Sequence, residues 1–241
     1  MLRLNINSGL EKVLKFKSLD LIHDGAVNML KATGLTPEEL VGHKALPWTV
    51  GPVFAKSVEK GAPEKQADRI VMTTCDPKIA EHLLHAKLSD FKATRYSTGE
   101  VLDLSKWSID VDSPPVIDGQ EAMAVVAGSP LVFRRKGNGP RRWVVDVKDM
   151  DLSAAVNSRL SRLAGREVRL QVVPDERYIS SKKSHAVYTR LKAEQGVGST
   201  VIGLSFPMII YGPTEDLELA WYAGFGELTR MGFGILALRK K

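Results

Sequence analysis

The sequence of 241 residues predicts an α+β fold in which two halves of similar size repeat one order of elements, β-α-β-β-α-β. Short apolar runs with strand-like alternation are separated by segments whose apolar residues recur at helical spacing. A stretch with tandem prolines at residues 109–119 divides the halves, because tandem prolines interrupt helices and central strands. We therefore expect one domain at residues 1–115 and another at residues 120–241.

The first half opens with a strand in which Leu2, Leu4 and Ile6 alternate with polar residues. The first helix is expected to begin at Asp20, as its N-cap, and to end at Gly34. The remaining candidates are strands at residues 13–16, 48–56, 69–74 and 101–111, and a helix that starts at Pro77.

The second half repeats this order, beginning with an extended apolar segment at residues 122–134. An amphipathic helix is expected over residues 152–164, with Gly165 as its stop. Thr214 is expected to cap the last helix, because the two acidic residues after it suit a helix N-terminus, and the helix is expected over Leu217 to Ala223. The remaining strand candidates are residues 143–147, 167–173, 201–211 and 235–238. The final helix, loop and strand fit the end of a ferredoxin-like unit.

The segment at residues 222–238 is the most informative one, because two Gly-x-Gly pairs bracket a short stretch that carries Arg230. Glycine permits positive φ and a close approach of a ligand to the backbone, so this spacing indicates a glycine-rich loop pressed against phosphates. A dinucleotide-binding fingerprint is disfavoured, since it needs a strand before the loop and a helix after it. The four glycines are Gly224, Gly226, Gly232 and Gly234.

The composition limits the class of protein. Hydrophobic residues make up 44% of the chain, which argues against disorder. Cys75 is the only cysteine, so no intramolecular disulfide can form and a reducing compartment is expected. The sequence shows neither a secretory signal nor an apolar run of membrane-spanning length, and we expect a soluble, cytoplasmic protein without a membrane partner.

Positive charge is concentrated in the second half. The whole chain carries a net charge of +6, whereas residues 134–192 alone hold 15 Lys and Arg against 6 Asp and Glu. A local excess of this size indicates a surface for a polyanion such as nucleic acid. A solvated basic face is the alternative, and the concentration in one half favours the nucleic-acid interpretation.

Within this basic region, arginines recur at spacings of three, four and three, from Arg159 through Arg162 and Arg166 to Arg169. If the helix continued through Gly165, all four would form one stripe able to contact duplex phosphates; if it ended there, only the first two would. A predicted hairpin tip and a second basic segment add further candidate contacts to phosphates or bases: Arg134, Arg135, Arg141, Arg142, Lys182, Lys183 and His185.

Histidines are the candidates for acid–base chemistry, because imidazole titrates near neutral pH. His43 lies in an expected loop, beside Lys44, whose charge could stabilise a phosphorane; an exposed loop histidine without a role is the alternative. His23 lies on a half-apolar helix face, where a histidine bordering the core is the alternative. His82 and His85 lack further ligands at metal-binding spacing, so we expect no metal site and no cofactor.

Three segments carry a resemblance that spans nearly the whole chain: Gly224-Phe-Gly-Glu-Leu-Thr-Arg-Met-Gly-Phe-Gly234, residues 42–53 and residues 127–133. In that order they resemble the glycine-rich loop, the histidine loop and the opening strand of the second domain in one nuclease family. That family is the precursor-CRISPR-RNA-processing endoribonucleases of the Cas-six family, in the RAMP superfamily. The resemblance implies two tandem ferredoxin-like, RRM-like domains.

The resemblance also implies metal-independent cleavage of precursor CRISPR RNA within its repeats. A ribose 2′-hydroxyl would attack the adjacent phosphate and leave a 2′,3′-cyclic phosphate and a 5′-hydroxyl. By position His43 matches the family's general base or acid, and Lys44 could supply the cation. Many members place a tyrosine nearby, but the first tyrosine here is Tyr96, so the partner role falls to His23, to Lys44 or to no residue.

The implied partners are a repeat stem-loop, the mature CRISPR RNA, which stays bound, and other Cas effector subunits. The glycines and Arg230 would hold the RNA backbone, and the basic second half would grip the stem. One alternative is a non-catalytic RNA-binding subunit of the same superfamily, which needs no histidine. Another is a metabolic enzyme that binds a phosphorylated small molecule, although the basic excess is larger than one phosphate site requires.

Overall fold

The computed structural model describes residues 1–8, 14–16, 19–41, 47–54, 65–95, 99–116, 118–135, 142–182, 184–191 and 199–238. The strands of the first half are β1 (Leu2–Asn7), β2 (Leu14–Phe16), β3 (Trp48–Phe54), β4 (Lys65–Thr74), β5 (Lys92–Arg95), β6 (Glu100–Asp103) and β7 (Ser108–Val111). Its helices are α1 (Asp20–Ala32), α2 (Pro37–Val41) and α3 (Pro77–His85).

The first half builds a five-stranded antiparallel sheet in the order β7-β1-β4-β3, with β2 paired to one end of β4. The alternating residues Leu2, Leu4 and Ile6 are buried in one core with the apolar faces of α1 and α3, because successive strand residues point to opposite faces. Within the β-α-β-β-α-β unit, the sheet order is fourth, first, third, second strand. This is a ferredoxin-like arrangement.

The strands of the second half are β8 (Ala122–Ala127), β9 (Gln171–Pro174), β10 (Ala186–Leu191), β11 (Ser199–Leu204), β12 (Pro207–Tyr211) and β13 (Leu236–Leu238). Its helices are α4 (Leu152–Ala164), α5 (Glu176–Ser181) and α6 (Thr214–Ala223). Single 3-10 turns lie at Leu88–Asp90, Val147–Asp149 and Thr229–Met231.

The second sheet has the order β13-β8-β12-β9 and is also antiparallel. Its unit strands follow the same order as in the first sheet, so the predicted α+β fold with two tandem ferredoxin-like units is confirmed. Each half also contains a two-stranded addition, β5–β6 in the first and β10–β11 in the second. The β10–β11 hairpin is inserted between β9 and β12 of the chain.

Two long predicted strands are wrong, because each is divided into strands of different sheets. The segment 201–211 leaves the hairpin after Leu204 and enters the second sheet at Pro207, a residue that suits the start of a strand because it has no N–H. The segment 101–111 is interrupted where the Asp103 carboxylate accepts a hydrogen bond from the Ser105 N–H at 2.8 Å. Both parts of each segment are extended, so their sequence pattern does not reveal the change of sheet.

Several local predictions also change. The expected linker 109–119 begins inside β7, where Ile109 pairs with Ile6. Asp20 is buried within α1 and forms an ion pair with Arg95, so Asp20 does not cap the helix. The elements α2, α5, β5 and β10 were not predicted, although α5 has a recognisable N-cap in Asp175, whose carboxylate accepts from the Tyr178 N–H at 3.0 Å.

The two halves are joined by shared packing. Val132, Trp143 and Phe233 of the second half are buried in the hydrophobic core of the first. Polar contacts add to this, and several of those in the described residues belong to Arg3 on β1. A side chain of this type is buried only when its donors find partners.

The Arg3 guanidinium is buried at the junction, with 1% of its side chain exposed. Its Nε donates to an Asp112 carboxylate oxygen at 3.0 Å, and its terminal nitrogens donate to the carbonyls of Trp221 at 3.4 Å and Leu236 at 2.6 Å. The guanidinium also lies 3.8 Å from the centre of the Trp221 ring. Burial lowers the pKa of Arg3 to about 10, so the side chain is still charged at neutral pH.

We predict that Arg3→Ala lowers the free energy of unfolding by about 3–5 kcal/mol, because it breaks a buried ion pair and leaves two buried carbonyls without donors. Urea denaturation followed by tryptophan fluorescence measures the decrease. Arg177→Ala is the matched control, since Arg177 is exposed on α5, and its change should stay within about 0.5 kcal/mol. Equal decreases in the two variants would show that Arg3 does not hold the halves together.

Candidate nucleic-acid interface

The chain after α6 turns repeatedly through conformations that only glycine adopts easily. Gly224, Gly226, Gly232 and Gly234 have φ values of 68°, 82°, 95° and 84°. Positive φ costs other residues free energy because of their Cβ atoms. Their spacing in the sequence therefore reflects a backbone requirement.

The close approach that these glycines permit is to the protein's own backbone. A Cβ added to Gly226 would lie under 3.0 Å from the Val132 carbonyl oxygen, and one added to Gly234 would lie as close to the Phe225 carbonyl oxygen. All four glycines are buried. The expectation that they contact RNA phosphates is therefore corrected: they pack residues 224–234 against the rest of the fold.

Arg159 is also part of this packing. Its side chain is buried on α4 and donates to the carbonyls of Ala223 at 3.2 Å and Gly224 at 3.0 Å, and to the Thr229 hydroxyl at 3.3 Å. Burial lowers its pKa to about 10, which leaves it protonated at neutral pH. The prediction that Arg159 grips an RNA stem is wrong, because its donors face the interior.

The predicted stripe of arginines does not form. Helix α4 ends at Ala164, and Gly165 adopts a left-handed conformation that turns the chain away. Arg162 is exposed and donates to the Ser158 carbonyl of its own helix at 3.1 Å. Arg166 lies beyond the helix and forms an ion pair with Asp216, at 2.6 Å, so it is no part of a helical stripe.

His185 is also buried, and its contacts are to residues of the protein interior. Its Nε2 accepts a hydrogen bond from the Val147 N–H at 2.9 Å, and its ring meets Phe206 edge-on. The expected phosphate or base contact from His185 is therefore wrong. Lys182 is exposed, with its Nζ 5.8 Å from the Tyr178 ring centre, whereas Lys183 lies outside the described residues.

The principal catalytic candidates, His43 and Lys44, lie outside the described residues, as does Arg141. Among the described histidines, His23 on the first turn of α1 contacts the glycine-rich residues 224–234. Its Nδ1 lies 3.0 Å from the Arg230 carbonyl oxygen, and its ring stacks parallel to that of Trp48 with 6.2 Å between centroids.

The contact to Arg230 determines which nitrogen of His23 carries the proton. A carbonyl oxygen only accepts, so Nδ1 must be the donor. In the neutral ring Nε2 then carries the lone pair and is the basic nitrogen. This is the tautomer that a general base at Nε2 requires.

A groove of about 780 Å³ lies next to this contact. One wall comes from Leu228, Arg230 and Met231 of the C-terminal segment, and the other comes from the β10–β11 hairpin and the segment at residues 142–145. Its floor includes apolar residues. The lining residues that bear on nucleic-acid binding are Arg142, Trp143, Tyr188 and Arg230.

The predicted basic hairpin borders this groove. Its stem is paired by the Arg135 N–H to the Arg142 carbonyl at 2.9 Å and by a bridge between Arg134 and Trp143. Arg134 is exposed and forms an ion pair with Glu227 at 3.5 Å. The Arg142 guanidinium lies 4.8 Å from the centre of the Trp143 ring. The structure therefore brings Arg142 and Arg230 to one groove and places Arg134 and Arg135 on the hairpin beside it.

Tyr188 is the site residue that the sequence did not single out. It lies on β10 with 67% of its surface exposed, and it lines the same groove as Arg142 and Arg230. A lone tyrosine in an alternating strand carries no sequence signal for binding. The lysines near it in the sequence made His185 the candidate for an RNA contact, but His185 is buried.

No helix in the described ranges has the length and apolar character needed to cross a membrane. Within the same ranges, no group of three or more His, Cys, Asp or Glu side chains is placed to hold a metal ion.

Known proteins resemble this chain in sequence and in structure. Residues 112–238, more than half of the chain, match the family described as CRISPR associated protein Cas6, C-terminal. A Cas6-related protein from Pyrococcus furiosus has a similar structure, with a TM-score of 0.69, 17% identity, and coverage of 100% of this chain and 99% of that one. No curated protein sequence matches.

Two further structures are similar over nearly their full length. A RAMP protein binding different RNA substrates has a TM-score of 0.67 and 17% identity, with 100% of both chains covered. A Cas6 product complex has a TM-score of 0.55 and 16% identity, with 99% of both chains covered. Two ferredoxin-like units in tandem, with a groove that carries two arginines, define the class of fold. Within that class, the chain belongs to the CRISPR-associated Cas6 family.

We predict that Gly226→Ala destabilises the protein much more than Gly119→Ala. The two glycines have nearly equal φ, 82° and 81°, but a Cβ at Gly119 has no atom within 4 Å, whereas one at Gly226 meets the Val132 carbonyl. Gly119→Ala should cost about 1–2 kcal/mol from backbone strain alone, and Gly226→Ala about 1–3 kcal/mol more from overpacking. Thermal denaturation measures the loss of stability in both variants. Equal losses would mean that positive φ alone, without the close contact to the Val132 carbonyl, accounts for glycine at position 226.

Proposed function

We propose that this protein is a metal-independent endoribonuclease that cleaves precursor CRISPR RNA within its repeats and stays bound to the mature RNA. Membership of the Cas6 family supports an RNA-processing role. We also retain the division into domains at residues 1–115 and 120–241, the cytoplasmic location and other Cas effector subunits as partners.

The proposal rests on one observation, which is that Arg230 both lines the groove and contacts His23. Its side chain lines the groove, and its carbonyl accepts from His23 Nδ1. An RNA strand whose phosphates lie along the groove would therefore pass close to an imidazole whose Nε2 is basic. A cation and an oriented imidazole are among the groups that phosphodiester cleavage without a metal uses.

The reaction needs three groups. A general base removes the proton of the ribose 2′-hydroxyl, whose oxygen attacks the adjacent phosphorus and breaks the bond to the 5′-oxygen of the next nucleotide. A general acid gives a proton to that departing oxygen, and a cation stabilises the phosphorane. We assign His43 as base or acid and Lys44 as the cation, with His23 as the partner of His43.

We predict that the wild-type protein cuts an end-labelled CRISPR repeat RNA once, in EDTA, and leaves a 2′,3′-cyclic phosphate. His43→Ala should slow this cleavage by about 10²- to 10⁴-fold, as expected when a general acid or base is removed, with nearly unchanged RNA binding. His85→Ala is the control, because His85 is an exposed histidine on α3.

The same experiment with His23→Ala separates the histidines. Slower cleavage only in His23→Ala would move the active site to His23, and equal cleavage in all variants would refute both assignments. RNA bound tightly by the wild type and left intact would favour the second candidate, a non-catalytic RNA-binding subunit. The structural likeness to a RAMP protein that binds different RNA substrates favours this candidate over others without an active site.

We predict that Arg142→Ala weakens RNA binding and lowers its dependence on salt. The slope of log K against log salt concentration should decrease in magnitude by about 0.7 for each single-strand phosphate that the variant no longer neutralises. Arg177→Ala is the control, since this arginine is exposed on α5 and is absent from the groove lining. Filter binding at several salt concentrations measures the slope; a slope equal to that of the wild type would remove Arg142 from the interface.

A further inference from the structure

The groove has features that a site for duplex phosphates does not need. Its lining includes Leu191, Val201, Ile202, Leu228 and Met231 beside the two arginines. Its volume of about 780 Å³ falls within the range of pockets that enclose a small organic molecule, roughly 300–1,000 Å³. A concave, partly apolar site of this size suits planar nucleobases better than the convex side of a double helix.

Tyr188 presents an aromatic ring to this groove. It pairs with Ile202 across the hairpin and is 67% exposed. Single exposed apolar residues are common on proteins and need no explanation. Tyr188 differs because it lines a concave groove that two arginines also line, and proteins that bind single-stranded RNA combine aromatic rings and cations in this way.

The wall that carries Tyr188 is held in place by Trp143. The indole N–H of Trp143 donates to the Thr200 carbonyl on β11 at 3.2 Å, and the indole is 7% exposed. The Arg142 guanidinium lies 4.8 Å from the Trp143 ring centre. The β10–β11 hairpin and Arg142 are therefore both held by contacts to Trp143. Such preorganisation reduces the conformational entropy cost when a ligand binds between them.

Charge complementarity identifies the occupant. Arg142 is exposed at the groove, while Arg230 is half-buried, and its burial lowers the pKa of the guanidinium. A partly desolvated cation is stabilised when an anion binds beside it. An RNA strand supplies such anions on both sides of every base.

We propose that the groove binds unpaired nucleotides of the RNA, with a nucleobase stacked on Tyr188 and the flanking phosphates paired with Arg142 and Arg230. The proposal rests on the proposed function, because it takes the RNA substrate from there. It adds that this part of the RNA is single-stranded. It also separates the groove from any surface that contacts the repeat stem.

The test compares two exposed tyrosines. Tyr188→Ala should weaken binding of an unstructured RNA oligonucleotide by about tenfold, the effect expected when one base–aromatic stack is removed. Tyr188→Phe should bind like the wild type, because the ring is retained. Tyr211→Ala is the matched control, since Tyr211 is 41% exposed on β12 and is absent from the groove lining.

A second probe, a blunt RNA hairpin without unpaired ends, identifies what Tyr188 recognises. Binding of this hairpin should be unchanged in Tyr188→Ala. Equal weakening for both RNAs, an unchanged affinity for the oligonucleotide, or no binding of the oligonucleotide by the wild type would each overturn the proposal. Thermal denaturation of each variant checks that the fold is intact.

The cleavage and binding experiments together distinguish failure of the stacking site from failure of the nuclease proposal. If repeat RNA is bound in a Tyr188-dependent way and left uncut, the stacking site stands and the nuclease proposal fails. If repeat RNA is cut by the wild type and Tyr188→Ala binds the oligonucleotide normally, the nuclease proposal stands and the stacking site fails.

Discussion

The C-terminal end of α6 is the point on which the rest of the structure depends. The last carbonyls of a helix have no partners within the helix, and they carry a partial negative charge. Here donors from both halves satisfy them: Arg3 binds the carbonyl of Trp221, Thr73 that of Tyr222 at 2.8 Å, and Thr49 that of Ala223 at 2.8 Å. Arg159 reaches the same end from α4. Two buried guanidinium groups thus oppose the negative end of one helix dipole.

This arrangement determines where the groove lies. The segment after α6 is held by the Phe225 N–H to the Gly234 carbonyl at 2.9 Å and by the Glu227 N–H to the Val132 carbonyl at 2.7 Å. Thr229 adds a hydrogen bond to the Trp48 carbonyl at 3.2 Å. Arg230 follows directly, so its backbone is placed by contacts to both halves. The contact with His23 is therefore a consequence of how the two ferredoxin-like units meet.

The sequence predicted the parts of the fold that repeat with a clear period. The alternation in β1 and the helical spacing in α1 and α4 identify elements whose buried faces are regular. The division of residues 201–211 between a hairpin and a sheet was not predictable, because both strands are apolar and lie almost end to end. Sequence periodicity reports burial and does not report which sheet a strand joins.

The site was predictable only in part for a similar reason. Helical spacing placed Arg159 and Arg162 on related positions of α4, but it could not show that Arg159 is buried and Arg162 exposed. The glycine spacing indicated a close backbone approach, and only the fold shows that Val132 and Phe225 make that approach. Tyr188 carried no local signal at all, because its role depends on a groove formed by distant segments.

The bond between Arg3 and the Leu236 carbonyl joins residues 233 positions apart in the chain. Ribosomes add roughly 5–20 residues per second, and domains form as they emerge. The first sheet can fold early, but the guanidinium of Arg3 has no carbonyl from α6 or β13 to bind until nearly all of the described chain has been synthesised. The groove is completed by the same late segment. A nascent chain that ends before residues 228–231 therefore lacks part of the groove lining.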